Sequence, residues 1–228
     1  MGGGILCLNL PILAQNNNVE SQWDYEVEEE KSSISRFFTD LVSPQIIIDV
    51  RIIRAYVRDP RFRRFTLQDG DLAAVDGIFQ KSLRLSEYEI QRTLFLCLMA
   101  CIDHRQITVK IPLVGPIEIP LTAESDSAFA SRFRNVPSQI YPDSPKSTLG
   151  DKDKLQHFFA SAYLTYTSGS STFSNFTGNL IEWGEARFIV GGDDDPRDKQ
   201  ANAQGERFGK ALLNNKNPLP SEFLTKVD

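Results

Sequence analysis

Three short stretches of the 228-residue chain carry side chains whose spacing lets them act together. In "DKLQHFF" (153–159) Asp153 and His157 are four residues apart, so on a helix they share a face. Ser161 follows one turn later, and Lys154 stands beside Asp153. In "EWGE" Glu182 and Glu185 are three apart and share a face in the same way. In "DKQANAQGERFG" (198–209) Asp198, Asn202, Gly205 and Gly209 form one stripe, polar at its start and bare at its end.

A carboxylate within reach of an imidazole can orient it as a general base. On that reading the catalytic set is Asp153, Lys154, His157, Glu182, Asp198 and Asn202. His157 is the base, Asp153 its orienter, Glu182 and Asp198 the acids, Asn202 a polariser and Lys154 a phosphate contact. A second reading makes His157, Glu182, Glu185 and Asp198 ligands of a divalent ion, with Asn202 completing the shell. The set holds one histidine and no cysteine, so the ion would be hard: Mg, Mn or Ca. The acidic turn Asp193-Asp194-Asp195 lacks EF-hand spacing. A third reading makes the same groups a satisfied hydrogen-bond network that fixes how the helices register. Spacing alone leaves all three open.

These groups need three helices, expected at about 152–167, 174–190 and 196–214 within a C-terminal module at 151–228. Pro196 suits a first helical turn with Asp195 as its N-cap, and the glycines of the third helix allow close approach of a neighbour.

Upstream, residues 34–150 read as further helices and one β-hairpin. Ile46, Val50, Ile53 and Val57 recur at helical spacing, and Pro60 ends that helix. Arg51, Arg54 and Arg58 take another face, read first as a solvated helix surface and alternatively as a contact for anionic lipid or an envelope component. With Arg61, Arg63 and Arg64, read as flanking loop, they form an arginine cluster. Helices are expected at about 70–83 and 87–103, the second opened by the capping box Ser86-x-x-Glu89 and closed by His104. Cys97 and Cys101 on that apolar helix read as small buried hydrophobes.

Then the period falls to two. "ITVKIPL" and "PIEIPL" predict a two-stranded ribbon at about 107–121, with Lys110 opposite Glu118 and glycine in the loop at Gly115. Residues 134–150, rich in Pro and Ser, read as a connection. The expected fold class is therefore mainly α, a helical bundle with one β-hairpin.

Apolar content of 41% and charged content of 24% are globular values. A net charge of −5 argues against nucleic acid as partner. No apolar run is long enough to span a bilayer, so no transmembrane span is expected in the mature chain. Residues 1–14 resemble a signal peptide with cleavage after Ala14, and 15–33 read as a disordered acidic linker. Export to the periplasm or envelope is the expectation, with a cytoplasmic interaction module as the alternative.

The pattern Asp153-Lys154-x-x-His157-Phe158, then Glu182-x-x-Glu185, then Asp198-x-x-Ala201-Asn202-x-x-Gly205-x-x-x-Gly209 resembles that of VanZ-like proteins. It is also similar to predicted periplasmic lipoproteins of the YfiM type. The resemblance covers about 60 residues, roughly a quarter of the chain. It implies an envelope location and a shared polar cluster, in families whose molecular activity is undefined. A hydrolase or transferase acting on an envelope phosphate or lipid is the enzymatic alternative.

Overall fold

The computed structural model describes residues 44–111, 115–120, 122–169, 196–214 and 217–224. The expected leader, the acidic linker, the helix at 174–190 and the turn at 193–195 lie outside them.

The described chain is mainly helical. Helix α1 (Pro44–Arg58) is followed by α2 (Pro60–Asp69), α3 (Asp71–Leu85) and α4 (Ile90–Cys101). Strands β1 (Gln106–Ile111) and β2 (Gly115–Pro120) precede α5 (Asp126–Asn135), α6 (Lys152–Gly169) and α7 (Pro196–Leu213). A short 3-10 turn, Pro220–Glu222, follows.

Helix α4 is buried continuously from Thr93 to Cys101, which explains why "LFLCLMAC" is apolar on all sides. It packs against α1, α3 and α6. The stripe expected on α1 faces this core, with Ile53 and Val57 wholly buried. One apolar cluster joins Ile53, Phe62, Ile78 and Leu96 to Phe158, Tyr163 and Phe208, so the core crosses position 150 without a break. Cys97 and Cys101 are free and buried. Burial pushes both thiols up, Cys101 to about 12, so neither is a thiolate near neutral pH.

Several local expectations are corrected. Residues 61–64 are helix and not loop: Asp59 caps α2 by accepting from the Arg61 N–H at 2.7 Å, and Pro60 fills its first turn. The Ser86–Glu89 capping box does not form. Ser86 Oγ instead donates to Leu83 O at 3.1 Å and meets Thr93 Oγ1 at 2.7 Å. Glu89 is itself the N-cap of α4, accepting from Gln91 N at 3.0 Å and Arg92 N at 2.7 Å.

His104 does not close α4; its ring pairs with Asp103. The carbonyls at that helix end take buried guanidiniums instead. Arg54 Nε donates to Met99 O at 3.1 Å, and Arg132 Nη1 donates to Ala100 O and Ile102 O, each at 2.9 Å. This removes the expected lipid-facing role of Arg51, Arg54 and Arg58 as a set. Arg54 is 3% exposed, and Arg58 approaches the buried Glu124 at 3.8 Å.

Strands β1 and β2 pair antiparallel, and here the backbone alone is described. Thr108 stands opposite Glu118, Lys110 opposite Pro116 and Ile111 opposite Gly115. The expected register, with Lys110 opposite Glu118, is off by two residues. Such a slip keeps every side chain on its face, so alternation could not detect it. Gly115 belongs to β2 and not to the loop.

Residues 136–150 are not a loose connection, since Val136, Ile140 and Tyr141 are buried. The C-terminal turn docks on α3, where Asp76 accepts from Ser221 N at 2.9 Å and from Ser221 Oγ at 2.6 Å.

Candidate functional site

Helices α6 and α7 lie side by side and run parallel. Their contacts advance together, from Asp151–Arg197 and Lys154–Asp198 through Ser161–Asn202 to Ala162–Gly209. Gly205 and Gly209 permit this approach. A Cβ at Gly205 would overlap the Phe158 carbonyl oxygen, and one at Gly209 would lie 2.6 Å from Ala162 O. The close crossing brings the short polar side chains of the stripe onto α6.

Lys154 is central. Its Nζ lies 2.6 Å from Asp198 Oδ1 and 2.8 Å from Asp153 Oδ2, with only 7% of the side chain exposed. Asp153, in the first turn of α6, also accepts from the Lys154 backbone N–H at 3.0 Å. His157 Nε2 is 3.4 Å from Asp198 Oδ1, and His157 Nδ1 is 3.3 Å from Asn202 Oδ1. Ser161 Oγ donates to that same Asn202 oxygen at 2.9 Å.

The structure therefore brings Lys154, His157, Asp198 and Asn202 together, with Asp153 at the rim. It exchanges two roles. Asp198 is the carboxylate at His157, while Asp153 turns to Lys154. The ammonium of Lys154 is held by two carboxylates and does not stand open for a phosphate.

Glu182 and Glu185 lie outside the described residues. Among the described residues no three His, Cys, Asp or Glu side chains group as a metal site. At Asp198 Oδ1 the Lys154 ammonium occupies the position a hard cation would need.

A second polar group abuts the first and was not anticipated. Arg197 bridges Asp151 and Asp143, the latter at 3.0 Å, and its guanidinium lies 5.4 Å from the Tyr141 ring centroid. Asp151 is wholly buried and also accepts from Ser144 Oγ. The Tyr141 hydroxyl donates to the buried Gln204 of α7. Burial, with the Asp151 charge adding, holds the Tyr141 phenol above its ordinary value, so it stays a donor. This group clamps the first turn of α7 and so places Asp198. Pro196 was legible as a helix start, but the partners of Arg197 and Asp198 after it lie over 40 residues away in sequence.

Lys152, two residues before Lys154, gives a pH signature. Its Nζ donates to Phe133 O at 2.6 Å and sits 4.4 Å from the Phe133 ring centroid. Burial, then the charge of Arg63, lowers this amine to about 8, with Asp71 opposing. The folded state therefore releases the proton through about pH 8 while the unfolded chain holds it to about 10.5. Between those values the unfolded state binds more protons, so stability rises with pH. Relative to Lys152→Met, the native chain is expected to gain about 1–2 kcal/mol between pH 8 and 10, after allowance for solvent screening. Denaturant unfolding of both chains across that range checks it.

No family model, no curated protein and no solved structure matches the chain.

Proposed function

We propose that this chain is a bacterial envelope-associated protein in which Lys154, His157, Ser161, Asp198 and Asn202 are a network that registers α6 against α7. One observation carries the reading of the cluster: both ring nitrogens of His157 face side-chain oxygens of α7. A histidine so engaged orients helices well and abstracts protons poorly. The buried Lys154, between two carboxylates, supports the same reading.

His157→Ala is expected to destabilise the fold by about 1–3 kcal/mol, because Asn202 loses a hydrogen-bond partner and Asp198 a facing ring nitrogen in a mostly buried setting. Urea unfolding measures this. An unchanged midpoint would remove the network role.

The envelope location is supported by the leader-like residues 1–14 and by the VanZ-like pattern. Among the described residues no helix is long and apolar enough to cross a membrane. Mature protein from its host is expected to begin at or near Gln15. An intact Met1 on a cytosolic species would contradict export.

One contact favours a second reading, a hydrolase or transferase acting on an envelope phosphate or lipid. Asp198 Oδ1 lies 3.4 Å from His157 Nε2, so a small shift of either side chain would let the carboxylate orient the imidazole as a base. On that reading His157→Ala abolishes activity and leaves the unfolding midpoint in place.

A further inference from the structure

The outer face of α2 is basic and carries one exposed leucine. Phe62 and Thr66 are buried and Phe65 is half-buried, which fixes the inward side of the helix. Arg63, Arg64, Leu67 and Gln68 are exposed on the other side. Leu67 is 69% exposed, the most open of the described large apolar side chains. From residue 58 to 68 the chain carries Arg58, Arg61, Arg63 and Arg64 against one acid, Asp59, and Arg61 neutralises that acid at 2.7 Å.

Two neighbours register the resulting positive field. The hydrogen bond from Arg61 holds the Asp59 carboxyl below its ordinary value against the opposing effect of burial, and Arg64 adds to the lowering. Lys152, at the start of α6, is lowered first by burial and then by the charge of Arg63. Asp71 is taken up by the backbone N–H groups of Ser138, at 2.6 Å, and Gln139. Asp69 stands at the far end of the helix.

We infer that the Arg63–Arg64–Leu67 face of α2 docks on an anionic bilayer surface, the arginines at the headgroups and Leu67 at the acyl boundary. A chain of net charge −5 that is positive at one exposed helix is driven to meet such a surface with that helix first. An exposed leucine between arginines adds the apolar contact that distinguishes an interfacial helix from a merely solvated one. The arginines differ from those expected on α1, since α1 turns Arg54 into the core. The inference rests on α2 and not on the polar cluster, so failure of either leaves the other standing.

The test is sedimentation of the full chain with vesicles of phosphatidylcholine alone and of phosphatidylcholine with phosphatidylglycerol. Binding is expected only to the anionic vesicles, and it should weaken as salt rises. Arg63→Glu with Arg64→Glu should lower the partition coefficient roughly ten- to a hundredfold. Leu67→Ser should lower it by a smaller factor at any salt concentration. The milder pair Arg63→Gln and Arg64→Gln, checked for a native unfolding midpoint, guards against loss by misfolding and should still weaken binding. Failure of the native chain to bind anionic vesicles overturns the inference. So does undiminished binding of both arginine pairs, or displacement by inorganic phosphate at constant ionic strength, which would indicate a small-anion site.

Discussion

Arg132→Met is expected to destabilise the fold by about 3–5 kcal/mol, the range for breaking a buried ion pair from one side. Arg132 is wholly buried on α5, with Nε 3.0 Å from Glu124 Oε2 and Nη1 serving two carbonyls at the end of α4. Burial alone would raise the Glu124 carboxyl, but the Arg54 and Arg132 guanidiniums together hold it below its ordinary value. Removing Arg132 takes from the buried Glu124 its hydrogen-bonded guanidinium, leaving Thr122 and the more distant Arg58, and strips a donor from two carbonyls at once. The variant Glu124→Gln on the Arg132→Met background should recover part of the loss, because the buried charge is then gone. Urea unfolding with a common m-value measures both. A loss below about 1 kcal/mol for Arg132→Met would place this group among surface ion pairs and contradict the account of α4's end.

Gly205→Ala is the second large effect. In an ordinary helix interior this change stabilises by up to about 1 kcal/mol. Here the new methyl meets the Phe158 carbonyl oxygen, and Ser161 Cβ lies 3.0 Å away. Neither helix can yield without parting His157 and Ser161 from Asn202, so the net expectation is a loss of about 3 kcal/mol, at the upper end for overpacking. Gly77→Ala is the control. Its methyl would meet only side-chain atoms, Tyr56 Oη at 3.1 Å and Phe65 Cε1 at 3.2 Å, which can shift. That variant should change stability much less. Equal losses at both glycines would show that α6 and α7 are not held at backbone contact.

How much of this was legible in sequence depended on the range of the interaction. Helix α7 was bounded correctly at Pro196 because a first-turn proline is a local signal. The stripe Asp198–Asn202–Gly205–Gly209 was legible because polar start and bare end recur at helical spacing, and it is the face that meets α6. The Asp59–Pro60 start of α2 carries the same kind of local signal, which the arginine-rich run after it obscures.

Which carboxylate would serve His157 was not legible. Asp153 has the right spacing, but a side chain at a helix start finds a backbone N–H and the adjacent ammonium first. The buried arginines were misplaced for a related reason. Nothing in "RIIRAYVR" shows that the carbonyls of α4, over 40 residues on, need a donor. The strand register failed by two because only a one-residue slip changes which face is apolar.

On the proposed reading, His157 and Asn202 act as one unit across the α6–α7 interface. The most direct measurement is a double-mutant cycle in unfolding free energy for His157→Ala and Asn202→Ala. The two losses are expected not to add, with a coupling of about 1 kcal/mol or more in favour of the native pair. Losses that add within about 0.3–0.5 kcal/mol would show no energetic link between the two side chains. That result would contradict the network and leave the 3.3 Å approach as proximity alone.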